Sequence, residues 1–189
     1  MSNIYSFKAG DRIYSSGEFG PAFRVVSGSI RLDRVLQDSA PNFANVAIVG
    51  DLFGAEVLLN KSYGFEARAL TDCEVMEWEV PQRLWVKTFA RELINISQRQ
   101  AEAVSLRSGT ALERVVKLVN LIRHNHNDER TVFPSLKDIS DMTSLTVETA
   151  SRCISELRIQ GILTPLPGSK GAKRRHFKVS TMLEEQVAA

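Results

Sequence analysis

Residues 135–161 read SLKDISDMTSLTVETASRCISELRIQG. Ser135 is a good N-cap, and Asp138 stands where the first-turn amides favour a carboxylate. Leu136, Ile139 and Met142 recur at helical spacing. Thr143-Ser144-Leu145 breaks that pattern with little room for a loop. Thr146 can cap a second helix, in which Ala150, Ile154 and Leu157 form the apolar stripe. Gly161 suits the left-handed position that ends it. Two short helices joined by a tight turn make the helix-turn-helix plan, whose second helix enters the DNA major groove by its N-terminal end. That end carries hydroxyls, a carboxylate and a guanidinium, and Val147 is its only large apolar residue. An ordinary helical hairpin with a polar outer face has the same spacing, so the flanks must decide.

The 189 residues suffice for one domain or two small ones, and 43% apolar content is ordinary for a folded chain. Net charge is only +2, but it is unevenly spread. Residues 1–110 hold 12 Lys/Arg and 13 Asp/Glu; residues 111–189 hold 12 and 9. Lys170, Lys173, Arg174, Arg175 and Lys178 follow Gly168 with no acid among them. Such a run is the footprint expected of a nucleic-acid contact, although a solvated loop has the same composition.

Upstream, residues 1–81 read as short strands with glycine at the corners, which predicts a β-roll or small sandwich. Ser29 to Leu36 is expected as one alternating strand, and Pro81 can open a helix. Four strings then occur in series: Ala9-Gly10-Asp11, Val26-Ser27-Gly28-Ser29-Ile30-Arg31-Leu32, Gly50-Asp51-Leu52-Phe53-Gly54, and Ala69-Leu70-Thr71-Asp72-Cys73-Glu74-Val75. Their order and spacing are similar to those of the cyclic-nucleotide-binding-like β-roll. With the helix-turn-helix, nearly the whole chain resembles a CRP/FNR-superfamily transcription regulator. The resemblance implies an α+β architecture in three parts: a β-roll (double-stranded β-helix) over 1–81, a long dimerisation helix over 82–108, and a winged helix-turn-helix domain over 109–189.

The chain departs from the family's ligand site. Cyclic-nucleotide binders place a Glu directly after Gly-Asp-x-x-Gly, and an Arg-Ser or Arg-Thr pair before the last strands meets the cyclic phosphate. Here Ala55 follows Gly54 and Glu56 comes one residue late, which on a strand would turn it to the other face. The Arg-Ser position falls near Tyr63-Gly64, and Arg68 lies in the following strand. A cyclic nucleotide is therefore not expected; the effector stays unassigned and no cofactor is called for.

In the connecting helix, Phe89, Leu93, Ile96, Ala103 and Leu106 form one apolar stripe, with Ala90, Ile94, Ala101 and Val104 beside it and charged residues filling the remainder. That surface is too wide for one seam, so one face is expected on the roll and another on a partner helix. The resemblance implies a homodimer. Phe89, Leu93, Ile96, Gln100 and Ala103 are the expected interface, with Gln100 as a polar register residue. Ser108-Gly109-Thr110 reads as a hinge before a helix from Ala111 to about Asn125.

On the second helix, Glu148, Ser151 and Arg152 share one face. Arg can donate twice to guanine and Glu can accept from cytosine, so these three are the expected base readers, with Glu148 also bracing Arg152. Thr146 and Thr149 would hydrogen-bond phosphate near the helix N-terminus. Strands around Ile162-Leu163-Thr164 and His176-Phe177-Lys178-Val179 would form a wing, with Lys170, Lys173, Arg174 and Arg175 against phosphates. The Val-Glu-Thr-x-Ser-Arg string resembles the FNR/FixK branch more than the cAMP-receptor branch, which has Arg at the Val147 position and Gly at the Ser151 position. This implies inverted repeats of the TTGAT type, with Ser151 at thymine and Arg152 at guanine. Double-stranded DNA and RNA polymerase are the implied partners, and family habit makes activation the expected direction.

The remaining residues narrow the alternatives. Cys153 reads as a small core residue or as a redox-sensitive thiol beside DNA. Two distant cysteines make neither a disulfide framework nor an FNR-type iron–sulfur cluster. His124 and His126 lie near two acids in a polar segment without a scaffold, so no metal site is expected. A cupin-like enzyme would need ligands in the roll, and no histidine precedes His124; the chain does not read as an enzyme. A non-catalytic small-ligand sensor controlling a protein partner is the other alternative, and the recognition string argues against it. No signal segment and no membrane-length apolar run is present, so the expectation is a cytoplasmic protein.

Overall fold

The computed structural model describes residues 3–36, 41–59, 61–78, 85–123, 130–166 and 175–180. The chain divides into two compact units, Met1–Ala103 and Val104–Ala189. The long helix expected as a separate middle part thus runs across the division.

In the first unit the strands are β1 (Ile4–Phe7), β2 (Arg12–Tyr14), β3 (Phe23–Ser27), β4 (Ser29–Arg34), β5 (Asn42–Ile48), β6 (Leu52–Phe53), β7 (Glu66–Ala69) and β8 (Cys73–Glu77). Their antiparallel pairs nest: β4 with β5, β3 with β6, β2 with β7 and β1 with β8. The strands therefore form one long hairpin, rolled until β3 also meets β8 and β4 meets β7. Two four-stranded sheets result, ordered β1-β8-β3-β6 and β2-β7-β4-β5. Gly28 turns the β3–β4 corner at φ 78°, and a Cβ there would stand 2.2 Å from the Asp72 carbonyl oxygen. Only glycine allows that approach.

Strand β4 ends at Arg34 and does not alternate. Ser29, Ile30, Arg31 and Asp33 are all buried, because Arg31 and Asp33 neutralise each other at 2.7 Å on one face. The core between the sheets is aromatic: Tyr14, Phe23, Phe53 and Tyr63, packed with Val25, Ile30, Ala67, Ala69, Cys73 and Val75.

Helix α1 (Trp85–Ser105) follows; Pro81 lies outside the described residues. Its inward side is partly ionic. Arg24 pairs with Glu92 at 2.7 Å, and Arg99 pairs with Asp51 at 2.7 Å. Phe89 meets Trp78 edge-on, Ile96 is half-buried and Ala103 is 4% exposed. The outward side holds Val86, Leu93, Ile94 and Val104, each more than 60% exposed, with Ala90, Ser97, Gln100 and Ala101 between them.

The second unit contains α2 (Ala111–Arg123), β9 (Arg130–Phe133), α3 (Leu136–Thr143), α4 (Val147–Ile159), β10 (Leu163–Pro165) and β11 (Arg175–Val179). Gly109 adopts φ 94° before α2. Thr110 Oγ1 accepts from the Glu113 amide at 3.3 Å while Glu113 Oε2 accepts from the Thr110 amide at 2.9 Å, a reciprocal capping box. Val115, Val116, Leu118, Val119 and Ile122 of α2 are buried with Ile139, Met142, Ile154 and Leu157. The sheet runs β10-β11-β9. Strand β9 escapes the sequence reading: Arg-Thr-Val-Phe is short and bounded by Pro134, yet Thr131 and Phe133 are buried and the Phe133 ring lies 4.8 Å from Phe177.

Candidate nucleic-acid interface

The site begins with how α3 stops. Ser135 Oγ accepts from the Asp138 amide at 3.1 Å and donates to the Asp138 carboxylate at 2.6 Å, which fixes the first turn. At the other end Ser144 takes φ 52°, the only positive φ of a non-glycine among the described residues. The Leu145 amide returns to the Ser140 carbonyl at 3.1 Å, and Ser140 Oγ donates to the Leu145 carbonyl at 2.5 Å. The backbone polar groups of the turn are thereby used, and α4 starts two residues later. A left-handed conformation costs an L-residue about 1–2 kcal/mol. Ser144→Gly is expected to raise the stability of this unit by up to about 1 kcal/mol, since glycine's extra unfolded-state entropy offsets part of the gain. A higher urea midpoint at unchanged m-value is the measurement.

Thr146 caps α4: its Oγ1 accepts from the Thr149 amide at 3.2 Å and lies 3.0 Å from Thr149 Oγ1. Gly161, at φ 73°, ends the helix, with the Ile162 amide returning to the Leu157 carbonyl at 2.9 Å and the Gly161 amide to Arg158 at 3.1 Å. Those two bonds make a Schellman motif. Ala150, Cys153, Ile154 and Leu157 are buried. The opposite face carries Thr146, Glu148 and Arg152 exposed, with Thr149 and Ser151 half-buried.

The sequence-predicted readers Glu148, Ser151 and Arg152 thus share the solvent side of one helix, beside Thr146 and Thr149. The expected brace differs. Arg152 donates through Nη2 to Thr149 Oγ1 at 3.3 Å rather than to Glu148. Thr149 sits one turn back on Arg152's side of the helix, so its hydroxyl meets the guanidinium and leaves the Glu148 carboxylate directed to solvent. Cys153 faces inward and is 5% exposed. Burial raises its thiol pKa and outweighs the lowering by Arg152. This is the core reading of Cys153, not that of a reactive thiolate beside DNA.

Strands β10 and β11 pair as expected of a wing, Thr164 opposite Lys178. Lys170, Lys173 and Arg174 lie outside the described residues, as do His124, His126 and the side chain of Arg175, although Arg175 begins β11. The expected dimer residues separate. Leu93, at 63% exposure, and Gln100 lie on the outer side of α1, whereas Ala103 is buried in its own chain and Phe89 and Ile96 turn inward. The two apolar stripes of α1 are interchangeable as patterns, and inward Glu92 and Arg99, read only as filling the remainder of the helix, decide which side faces the roll.

Where the family's ligand clamp would lie, the roll makes internal contacts. Residues 55–59 form a 3-10 helix, not a strand, so the face-turning argument for Glu56 does not hold. Glu56 Oε1 accepts from the Gly64 amide at 2.7 Å. Tyr63 turns into the core, stacked on Tyr14 at 3.6 Å and donating to the Pro21 carbonyl at 2.7 Å. Its main chain bonds Gly17 and Glu18, at 2.8 Å each. Gly20 and Gly54 make room for this ring: a Cβ would stand 2.4 Å and 2.8 Å from Tyr63 atoms. The sequence signal was this pair of glycines: Gly20 was not singled out, and Gly54 was read only within the Gly50-Asp51-Leu52-Phe53-Gly54 string.

Residues 4–86 match the cyclic nucleotide-binding domain family. The nitrogen fixation regulation protein FixK of Azorhizobium caulinodans is 30% identical over 77% of this chain, and the match spans 64% of that protein. The structure of FixK2 from Bradyrhizobium japonicum superposes with a TM-score of 0.68 at 27% identity, covering 98% of this chain and 96% of that one. A CRP/FNR-family transcriptional regulator from Thermus thermophilus shares the fold, with a TM-score of 0.70 at 22% identity over 99% of each chain.

Proposed function

Because the chain belongs to the CRP/FNR superfamily, near its FixK branch, we propose that it is a homodimeric, sequence-specific DNA-binding transcription regulator. In this reading α3 and α4 are a helix-turn-helix, β10 and β11 are the wing, and α1 is the dimerisation helix. The carrying observation is the N-terminal turn of α4, a capped helix start whose solvent face presents Thr146, Glu148, Ser151 and Arg152 together. Glu148, Ser151 and Arg152 read base edges; Thr146 and Thr149 hold phosphate with Lys170, Lys173, Arg174 and Arg175. The protein activates transcription through contact with RNA polymerase.

The dimer seam in this reading is the outer side of α1. Val86, Ala90, Leu93, Ser97, Gln100 and Val104 recur at alternating spacings of four and three, the period of a two-stranded coiled coil. A two-fold pair of such helices presents two α4 helices to half-sites about one DNA turn apart. Leu93→Asp is expected to convert the protein to a monomer and to abolish retention of a two-half-site duplex; light scattering and mobility shift measure the two effects.

The roll, in this reading, needs no nucleotide, since Tyr63 fills its interior and Glu56 is engaged by Gly64. Selection from random duplexes tests the whole proposal. An inverted repeat of the TTGAT type is the expected product, and failure to retain any duplex would overturn it in favour of a sensor that acts on a protein.

A further inference from the structure

The backbone where α1 runs into α2 is held by two basic side chains of α2. Lys117 Nζ donates to the Ser108 carbonyl at 3.0 Å and to the Ser105 carbonyl at 3.5 Å. Arg114 Nε donates to the Gly109 carbonyl at 3.0 Å, and the Arg114 amide donates to the Thr110 carbonyl at 3.1 Å. Each carbonyl from Ser108 to Thr110 thus accepts a hydrogen bond. The Ser108 amide returns to the Ser105 carbonyl at 3.1 Å, and the Thr110 amide is taken by Glu113 at 2.9 Å. Glu113 also occupies the space beside Gly109, where a Cβ would stand 2.1 Å from its Oε2. The stretch expected from the sequence as a hinge is therefore a closed corner. It lies within the second unit together with the end of α1.

Basic side chains on the last carbonyls of a helix are favoured in themselves. Capping does not explain the second contact of Arg114, whose Nη1 donates to the Thr143 carbonyl at 3.3 Å. Thr143 is the buried last residue of α3 and precedes Ser144, whose left-handed conformation sets the entry to α4. One guanidinium thereby spans the α1–α2 corner and the turn of the α3–α4 pair. Its planar fork holds the two N–H groups in fixed relation, which a lysine ammonium cannot do. Lys117 stands three residues on, on the same side of α2. Helix α2 itself packs on both α3 and α4.

We propose that Arg114 and Lys117 are positioning residues that make this corner a fixed joint, so that the end of α1 and the reading helix α4 turn as one body. The inference rests on the DNA-binding reading. In a dimer paired through α1, a fixed joint sets the distance between the two α4 helices and so the half-site spacing that the protein accepts. A loose joint lets each α4 find its half-site over a range of spacings and forfeits the advantage of a preset geometry.

The test compares the full chain with Arg114→Met, Lys117→Met and Lys117→Arg. Mobility shifts use the selected inverted repeat, the same repeat with its spacer lengthened or shortened, and a duplex with a single half-site. Changing the spacer is expected to cost the native protein about tenfold in affinity or more, and either methionine variant about threefold or less. Affinity for the single half-site is expected to stay the same, and Lys117→Arg, which keeps charge and donors, to behave as the native protein. Lys117→Met removes only exposed or half-buried bonds and serves if Arg114→Met fails to fold. An unchanged spacing preference in the folded methionine variants would overturn the proposal, whatever their urea midpoints. Hydrogen exchange reads the joint without DNA: the Ser108, Thr110 and Arg114 amides should exchange faster in the methionine variants. A native protein that retains no duplex would end the DNA-binding reading, and equal exchange at those amides would overturn the joint itself.

Discussion

Tyr63→Ala is expected to lower the unfolding free energy by about 3–5 kcal/mol, the usual cost of emptying a buried aromatic site. Collapse is obstructed on each side. Tyr14 lies flat against the ring at 3.6 Å, and the backbone at Gly20 and Gly54 already stands as near as a glycine permits. Tyr63→Phe keeps the stack and leaves the Pro21 carbonyl unpaired, for a cost of about 1 kcal/mol. Urea unfolding of the three proteins separates cavity from hydrogen bond; a loss below about 1 kcal/mol for alanine would mean that the ring is not a core element. The phenol also sets an alkaline limit. Burial first, then the nearby Glu56, pushes Tyr63 up to about 12 from the ordinary 10, and Tyr14 is raised in the same direction. A folded-state pKa above the unfolded value favours the protonated fold. This stabilisation is complete below pH 10 and is lost as the pH climbs from about 10 towards 12.

Arg152→Ala is expected to weaken binding to a specific duplex by about 1–3 kcal/mol, a loss of roughly 5- to 150-fold, with little change on scrambled DNA. The reason is chemical. Arg is the side chain that can donate twice to the guanine edge, and in the free protein it makes one long bond, 3.3 Å, to Thr149. In the proposed reading, binding DNA would therefore exchange a weak internal contact for a bidentate one. Lysine at this position would restore charge but not the fork, so Arg152→Lys should recover non-specific affinity more than specificity. Mobility shifts on both duplexes measure this. Equal losses on the specific and scrambled sites would remove Arg152 from base reading and assign it to phosphate.

The stretch from Ser135 to Gly161 was readable because its determinants are local. Ser135, Ser144, Thr146 and Gly161 each act on backbone groups within five residues, so spacing alone predicts both helices and the turn. Most strands of the roll were visible as runs between turn residues, although Leu52–Phe53 was not read as one, and their nesting depends on pairs as distant as Ile4 with Met76. Tyr63 was illegible for the same reason: its partners Tyr14, Pro21 and Gly54 are remote, and an aromatic in a short loop reads as surface. The faces of α1 were misassigned because hydrophobic periodicity presumes that charge points outward. Glu92 and Arg99 point inward, paired with Arg24 and Asp51 from the roll, and no helical pattern encodes partners on another element. Strand β9 was lost to brevity, with four residues and a proline behind them.

The two cysteines turn this chain into its own opening gauge. Cys73 belongs to the first unit and Cys153 to the second, and both are buried free thiols. Burial pushes the Cys73 pKa to about 12 and raises that of Cys153 as well, so neither is a ready nucleophile in the closed protein. An alkylating reagent reaches each sulfur only during excursions that expose it. The mass of the labelled fragments then reports two opening free energies in one sample, one for the roll and one for the helical unit. DNA added to that sample should slow labelling at Cys153 through mass action, and any slowing at Cys73 would measure how far the coupling extends.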